Sequence, residues 1–177
     1  MILFINGAFG VGKTTAAELL VKRIPNSLLY DAEEVGVFLS HIVRPIVRFE
    51  DFQDLPMWRT LTVATAQLLQ QTYGRTLIMP MTIWYMPYFE EVLHGLRQFE
   101  PHLYHFCLTA KAETIRKRLL SRNYTPEANS WCYERIDRCV DAFQSPAFAI
   151  QLAADDKTPE ELVEEMLALI EKRTKWT

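Results

Sequence analysis

The chain has 177 residues, of which 49% are hydrophobic and 23% charged. This length and composition predict one globular domain over residues 1–177, because the chain is too short for two domains with substantial cores. The net charge of −3 argues against nucleic acid as a partner. Since no apolar stretch is long enough to span a bilayer and the opening apolar run lacks a basic leader, we expect a cytoplasmic protein without stable membrane insertion.

The chain opens with a strand, a glycine-rich turn and a helix. Residues 2–5 are a continuous apolar run, as expected of a strand buried on both faces, and a helix is predicted over residues 14–23. Between them, residues 7–14 read GAFGVGKT, which matches the phosphate-binding motif GxxxxGK[ST]. In this motif backbone N–H groups surround a polyphosphate, Lys13 reaches the β- and γ-phosphates, and the Thr14 hydroxyl ligates Mg²⁺. The residues predicted to bind the nucleotide are Gly7, Gly10, Val11, Gly12, Lys13, Thr14 and Thr15.

Strands and helices are predicted to alternate along the rest of the chain. The further strands are expected at residues 27–30, 76–80, 102–108 and 148–152. The further helices are expected at residues 32–42, 56–73, 111–122, 130–143 and 159–173. One more helix is expected to begin at residue 87 and to extend at least to residue 96. Such alternation implies right-handed crossovers and a parallel sheet covered by helices on both faces, so we predict an α/β P-loop fold.

Asp31 is the acid placed directly after an early predicted strand, and ligands of open parallel sheets bind at the carboxyl ends of strands. The strand predicted at residues 76–80 lacks the terminal aspartate that usually holds the metal shell in phosphate-binding folds. Asp31 is therefore predicted to hold the Mg²⁺ shell, through water, or to accept the proton of a substrate hydroxyl. The alternative is that Asp31 only caps the helix that follows.

Arginines are clustered on the two helices predicted at residues 111–122 and 130–143. They are Arg116, Arg118, Arg122, Arg135 and Arg138, and a polar segment that contains a proline separates the two groups. The arrangement resembles the lid of small-molecule kinases, here at about residues 118–138, in which guanidinium groups bind the transferring phosphoryl group and stack on adenine. We accordingly predict catalytic roles for Arg118, Arg135 and Arg138, and nucleotide binding by Arg118 and Arg122. The alternative is a solvated basic surface paired with Glu113, Glu127 or Glu134.

Aromatic residues are concentrated around the second and third predicted strands. They are Phe38, Phe49, Phe52, Trp58, Trp84, Tyr85, Tyr88 and Phe89. Residues 84–88 follow a strand end, where side chains face the ligand crevice, and aromatic groups there suit a base, a sugar or a lipid-like acceptor. Plain packing in the core is an equally open alternative.

The cysteines and histidines show no metal-binding pattern. Cys107, Cys132 and Cys139 have no CxxC spacing, and we expect reduced thiols rather than a disulfide or a structural zinc. The four histidines are expected at the surface or hydrogen-bonded in the core.

Several segments together resemble the bacterial tunicamycin-resistance ATP-binding proteins. The segments are FINGAFGVGKTTAAELL, LYDAEEVGVFL, LPMWR, LIMPMTI, FCLTA, RLLSR and ERIDRCVDAF. That family is similar in turn to the shikimate-kinase and nucleotide-kinase group of P-loop folds. The resemblance implies a five-stranded parallel sheet in the order 2-3-1-4-5 and nucleotide phosphates on residues 10–15. It also implies an acceptor beside Asp31, with adenine near Arg118, Arg122 and the loop of residues 155–159, in which Asp156 is predicted to contact the nucleotide.

These observations leave three functions open, all using ATP with Mg²⁺. The first is phosphoryl transfer to a hydroxyl of a small molecule, plausibly a nucleoside antibiotic of the tunicamycin kind. The second is ATP-dependent binding and sequestering of such a drug without chemical transfer. The third is a housekeeping kinase for a nucleotide or metabolite. The sequence does not predict the oligomeric state. The acidic face of the last predicted helix disfavours contact with anionic lipid.

Overall fold

A computed structural model of the protein describes residues 1–148 and 150–174. Its five strands form a parallel sheet in the order β2-β3-β1-β4-β5, as the family resemblance implies. The strands are β1 (Ile2–Gly7), β2 (Ser27–Leu29), β3 (Thr76–Pro80), β4 (Leu103–Thr109) and β5 (Gln151–Ala153). The α-helices of the described residues are α1 (Lys13–Arg23), α2 (Ala32–Val43), α3 (Pro56–Tyr73), α4 (Met86–Phe99), α5 (Ala112–Ser121), α6 (Ser130–Ala142) and α7 (Pro159–Thr174).

The central strand β1 explains why the chain opens with an unbroken apolar run. Ile2 pairs with Leu77 of β3 on one side and with Leu103 of β4 on the other, so both edges of β1 are hydrogen-bonded. All six residues of β1 are buried. Its carboxyl end therefore delivers the glycine-rich loop to the middle of one edge of the sheet, where ligands of such folds bind.

Helix α7 packs on α1 through apolar side chains. Leu162, Val163 and Met166 are buried, and Arg23 of α1 contacts Glu164 of α7 at 2.6 Å. Because that ion pair is exposed, the buried apolar area contributes more to the packing than the charges do. None of the described helices combines the length and apolar composition needed to cross a bilayer.

The fifth strand begins later than the sequence predicts. Residues 148–152 were expected as a strand, but β5 starts at Gln151. Phe148 instead packs into an aromatic cluster, with the centre of its ring 4.8 Å from that of Phe89. Ile150 has a φ of 52°, which is not an extended conformation, so the strand cannot include it. Ala149, also part of the predicted strand, lies outside the described residues.

One histidine departs from expectation. His105 of β4 is buried among Phe4, Phe89 and Phe148, and its Nε2 has no hydrogen-bond partner within the described residues. The core histidine is thus packed against rings rather than hydrogen-bonded at this atom. The cysteines are free thiols, as predicted, and no group of three or more His, Cys, Asp or Glu side chains in the described part of the chain is arranged to hold a metal.

Candidate active site

The glycine-rich loop between β1 and α1 has a backbone that side chains would disturb. Gly12 caps α1 with a φ of 114°, a left-handed conformation that favours glycine. A Cβ on Gly7 would lie 2.6 Å from the carbonyl oxygen of Leu108 on β4. The loop therefore passes tightly over the sheet before α1 begins at Lys13. The N-terminus of a helix after such a loop is suited to binding an anion.

Lys13 is buried beneath this loop. Its Nζ donates a hydrogen bond to the carbonyl of Ala8 at 3.0 Å and lies 5.9 Å from the centre of the Phe9 ring. Burial lowers the pKa of Lys13 to about 8, and nearby groups that include Glu33 and Asp31 only partly oppose this. The side chain is thus a poorly solvated ammonium group whose positive charge an incoming phosphate would stabilise.

A cavity of about 160 Å³ lies at the loop, and we name it the phosphate cavity. It is lined by Phe9, Gly10, Lys13, Thr14, Asp31, Glu33, Pro80 and Thr82. Three residues predicted from the sequence, Lys13, Thr14 and Asp31, therefore meet in one place. Their elements explain this, because β1, β2 and β3 are neighbours in the sheet and end at the same edge.

Two carboxylates stand in the phosphate cavity. Asp31 Oδ1 accepts a hydrogen bond from the backbone N–H of Glu33 at 2.9 Å, so the capping function considered for Asp31 is present. Glu33 is exposed overall, but partial desolvation of its carboxylate raises the pKa of Glu33, and the charge of Lys13 opposes the shift. Sequence reasoning missed Glu33, although its position two residues after Asp31, in the first turn of α2, was a usable signal.

Buried hydrogen bonds hold the segment that follows β3. Asn6 at the end of β1 accepts from the N–H of Ile83 and donates to the Ile83 carbonyl, both at 2.9 Å. Gln53 Nε2 donates to the carbonyl of Thr82 at 2.8 Å. Arg59 of α3 in turn donates to the Gln53 carbonyl at 2.6 Å. These contacts fix the wall of the phosphate cavity, and Gln53 and Arg59 were not predicted from the sequence as functional.

A second cavity, also about 160 Å³, lies on the α5 side of the loop, and we name it the Arg118 cavity. It is lined by Val11, Gly12, Thr15, Arg118, Ser121, Arg122, Lys157, Pro159 and Leu162. Arg118 donates to the carbonyls of Val11 at 2.9 Å and Ala154 at 2.6 Å. Arg118 and Arg122 therefore lie together beside the loop, but Arg118 lines a different cavity from Lys13.

The loop after β5 meets the Arg118 cavity through residues other than the predicted one. Asp156 is exposed and is not among the residues that line the cavity, whereas Lys157 and Pro159 are. The preceding Asp155 accepts hydrogen bonds from Lys111 N and Thr114 Oγ1, at 3.0 and 2.6 Å. Partial burial favours its neutral form, but these bonds outweigh it and lower the pKa of Asp155.

A third cavity of about 310 Å³ is lined by three of the eight residues of the predicted aromatic cluster, and we name it the aromatic cavity. It is lined by Glu50, Asp51, Gln53, Asp54, Trp84, Tyr85, Tyr88, Arg135 and Arg138. Trp84, Tyr85 and Tyr88 thus line a cavity, whereas Trp58 and Phe89 of the same cluster are buried in the core. The three carboxylates come from the segment around a short 3-10 helix (Phe52–Asp54) that was not predicted.

Cations and rings are paired within the aromatic cavity. The guanidinium of Arg135 lies 4.2 Å from the centre of the Trp131 ring and 3.3 Å from a carboxylate oxygen of Glu50. The guanidinium of Arg138 lies 5.4 Å from the centre of the Trp84 ring. Burial raises the pKa of Asp51, although the N–H of Gln53 donates to its carboxylate. The wall therefore offers acceptors, donors and ring faces together.

Arg116 lies in a two-pronged surface ion pair. Its Nη2 donates to both carboxylate oxygens of Asp137, at 2.7 and 2.6 Å. The partner is an aspartate of α6 rather than one of the glutamates considered from the sequence. Arg116 therefore belongs to a solvated basic surface, which was the alternative to a role at the site.

Known protein structures resemble this chain in fold. No protein-family model matches the sequence, and no curated protein matches it. The chain is similar to the tunicamycin resistance protein of Deinococcus radiodurans, with 23% identity and a TM-score of 0.78 over 96% of this chain and 94% of that one. It is also similar to a gluconokinase from Sinorhizobium meliloti 1021, with 11% identity and a TM-score of 0.70 over 98% and 93% of the two chains. A shikimate kinase from Acinetobacter baumannii has 13% identity and a TM-score of 0.64 over 97% and 93%.

These likenesses establish the fold. A parallel sheet in the order 2-3-1-4-5 with a glycine-rich loop after the first strand is shared with P-loop kinases. A tunicamycin resistance protein is among the similar structures, in agreement with the resemblance that the sequence motifs predicted. Because the sequence identities are 23% or lower, these likenesses show the fold alone.

Proposed function

We propose that the protein is an ATP-dependent phosphotransferase that acts on a hydroxyl group of a small molecule, with a nucleoside antibiotic of the tunicamycin kind as the first candidate. One observation carries the proposal: the phosphate cavity contains a buried lysine and two carboxylates, and the aromatic cavity shares a wall with it. Gln53 forms that wall, because it lines the aromatic cavity while its amide binds the Thr82 carbonyl.

In the proposed reaction the triphosphate of ATP lies on the N–H groups of the loop, and the base lies in the Arg118 cavity. Lys13 stabilises charge on the β- and γ-phosphates, and its poor solvation makes that interaction stronger than it would be in water. Arg135 and Arg138 line the cavity assigned to the acceptor, and their role in this proposal is to neutralise charge that develops on the transferring group.

The residues of the phosphate cavity fit a Mg²⁺ ion that arrives with ATP. Mg²⁺ prefers oxygen ligands, usually keeps several waters and needs only one or two carboxylates beside the phosphates. Thr14 and Asp31 supply a hydroxyl and a carboxylate, in keeping with the absence of a three-ligand cluster among the described residues. When bound, the ion would neutralise charge on the β- and γ-phosphates.

Proton transfer is assigned to the carboxylate pair. The acceptor oxygen attacks the γ-phosphorus, the bond from that phosphorus to the bridging oxygen of ADP breaks, and the hydroxyl proton passes to a carboxylate. Asp31 orients the site through its fixed cap, and Glu33, whose pKa is raised, is assigned as the proton acceptor. This revises the expectation that Asp31 itself takes the proton.

The acceptor is proposed to lie in the aromatic cavity. Ring faces such as those of Trp84 and Tyr85 cover the apolar side of a sugar or a base, while Glu50 and Asp54 accept hydrogen bonds from hydroxyl groups. The volume of about 310 Å³ is at the lower end of the range for small-molecule pockets and suits one ring system.

Mass spectrometry of the drug after incubation with protein, Mg²⁺ and ATP tests the proposal. We expect tunicamycin to gain the mass of one phosphoryl group while ADP appears in equal amount. Unmodified drug that stays tightly bound in the presence of ATP would indicate sequestration instead. ADP formation with a different acceptor from a panel of sugars, nucleosides and metabolites would indicate a housekeeping kinase.

A further inference from the structure

The Thr82 side chain, two residues after β3, has an unusual position. It is 1% exposed, it lines the phosphate cavity, and its Oγ1 has no hydrogen-bond partner among the described residues. A buried hydroxyl without a partner destabilises a folded protein, and such groups persist where a ligand or water completes them.

The backbone around Thr82 is fixed, so the hydroxyl cannot reach a partner by a small shift of the chain. Met81 N donates to the Ile5 carbonyl at 2.9 Å, Ile83 N donates to Asn6 Oδ1 at 2.9 Å, and the Thr82 carbonyl accepts from Gln53. Three residues in a row are therefore anchored to β1 and to the 3-10 segment. The hydroxyl of Thr82 is the buried side-chain group of this stretch without a partner among the described residues, and it is available to a ligand.

The place of Thr82 in the sheet indicates which ligand this is. Strand β3 lies directly beside β1, which carries the glycine-rich loop, and it ends without an acidic residue. Thr14 and Asp31 face the same cavity of about 160 Å³. An octahedral Mg²⁺ shell made from phosphates, one hydroxyl and waters needs polar groups that hold those waters.

We propose that Thr82 is a positioning residue for the metal–triphosphate complex, in which its Oγ1 hydrogen-bonds a water of the Mg²⁺ shell. In this role a hydroxyl stands where other phosphate-binding folds use a carboxylate after the strand. The inference rests on the proposed function for its metal–ATP complex, and it is independent of whether a phosphoryl group is then transferred.

The experiment compares ATP affinity with saturating Mg²⁺ and with EDTA in four proteins. They are the parent, Thr82→Val, Thr82→Ser and Thr62→Val. Valine has the shape of threonine without the hydroxyl, and serine keeps the hydroxyl. Thr62 on α3 is the matched control, because its Oγ1 is also buried without a partner but does not line the phosphate cavity.

We expect Mg²⁺ to raise the affinity of the parent for ATP. In Thr82→Val we expect this Mg²⁺-dependent gain in affinity to be at least tenfold smaller. Thr82→Ser and Thr62→Val should keep the gain within about twofold of the parent, by the same hydrogen-bond reasoning. Both valine variants should unfold at the same temperature as the parent or higher, because each removes an unpaired hydroxyl.

The proposal is overturned if Mg²⁺ raises the ATP affinity of Thr82→Val as much as that of the parent. It is also overturned if Thr62→Val loses as much of the Mg²⁺ effect as Thr82→Val, because the effect would then be a general consequence of losing a buried hydroxyl. A parent protein whose ATP affinity does not respond to Mg²⁺ also overturns it. If the parent binds ATP with Mg²⁺ as expected but transfers no phosphoryl group to any acceptor, the phosphotransferase proposal fails while the Thr82 assignment stands.

Discussion

At the scale of single residues, Lys13 makes ATP binding sensitive to pH. Burial holds its pKa at about 8 in the free protein, and a bound polyphosphate favours the protonated form. Below this pKa the ammonium group is already present and no proton is taken up. Above it, each binding event must first protonate the amine, so the affinity falls as the pH rises.

We therefore expect the dissociation constant of ATP to rise by up to roughly tenfold between pH 8 and pH 9, because one pKa unit corresponds to one factor of ten. Calorimetry in buffers of different ionisation enthalpy should show proton uptake at pH 9 and little at pH 7. In Lys13→Ala both the uptake and the pH dependence should disappear. Equal affinity at pH 7 and pH 9 in the parent would contradict this.

The carboxylate pair supplies a second prediction at this scale. Glu33→Gln should lower kcat by roughly 10²-fold or more, the usual contribution of a general base, and leave the affinity for ATP nearly unchanged. It should also remove the acidic limb of the pH profile of kcat, since the raised pKa of Glu33 sets that limb. Asp31→Asn keeps a capping oxygen and should lower kcat while retaining the limb.

If Glu33→Gln keeps the parent pH profile and Asp31→Asn loses the acidic limb, the proton goes to Asp31, as the sequence first suggested. Comparing the two variants separates orientation from proton transfer because both replacements preserve side-chain size. The affinity for ATP, measured alongside, reports whether either variant has disturbed the loop.

Local sequence predicted residues whose roles follow from their own neighbourhood. The glycine-rich octet predicted the turn before α1, and the position of Asp31 after a strand predicted both its cap and its presence in a cavity. The hydrogen bonds of Asn6 to Ile83 and of Gln53 to Thr82 could not be predicted, because they span 77 and 29 positions of the chain. Such contacts exist only once the sheet has assembled.

At the scale of elements, α2 and the 3-10 helix are pressed together at a glycine. A Cβ on Gly36 would lie 2.5 Å from the ring of Phe52, so only a bare helix backbone admits this contact. Phe52 also packs on Trp58 of α3, with ring centres 5.3 Å apart. The segment that supplies Glu50, Asp51 and Asp54 to the aromatic cavity is thereby held in place.

Gly36→Ala should displace this segment and weaken acceptor binding several-fold, while the affinity for ATP stays near that of the parent. Overpacking costs about 1–3 kcal/mol of unfolding free energy, and the higher helix propensity of alanine returns up to about 1 kcal/mol. Denaturant unfolding and acceptor titration measure the two effects separately.

Gly95→Ala on α4 is the matched control. Its Cβ would lie 2.9 Å from Val63 of α3, so it creates overpacking of the same kind in another part of the molecule. We expect a similar loss of stability without a change in acceptor affinity. If the two variants weaken acceptor binding equally, the effect comes from lower stability and not from the aromatic cavity.

The elements themselves were largely readable from the sequence because their signals are local. Strand β3 and helix α3 have the predicted bounds, each set by an apolar run or pattern with proline or glycine beside it. Strand β5 was predicted three residues too early, since Phe148 and Ile150 are apolar enough for a strand but serve the aromatic cluster and a left-handed turn. Apolar character alone does not separate these uses.

At the scale of the whole molecule, burial of the sheet has a consequence for stability at low pH. His105 lies in the middle of β4, at 5% exposure, with its ring 4.7 Å from that of Phe89. Burial, together with the charge of Arg97, lowers the pKa of His105 to about 3. The folded protein therefore keeps this imidazole neutral far below the pH at which an unfolded chain would protonate it.

The sign of the effect follows from proton binding. Between pH 6.5, the ordinary pKa of histidine, and about pH 3, the unfolded chain carries a proton at His105 that the folded chain does not, so acid favours unfolding. Above pH 6.5 the imidazole is neutral in both states and makes no pH-dependent contribution. Below it, the unfolding free energy falls by about 1.4 kcal/mol per pH unit, so roughly 3 kcal/mol is lost between pH 7 and pH 4. His105→Leu should be less stable at pH 7, because leucine does not reproduce the flat ring among Phe4, Phe89 and Phe148, yet it should lose less stability toward pH 4. Urea unfolding at pH 7, 5.5 and 4 gives the two curves, and parallel curves would show that His105 does not contribute to acid unfolding.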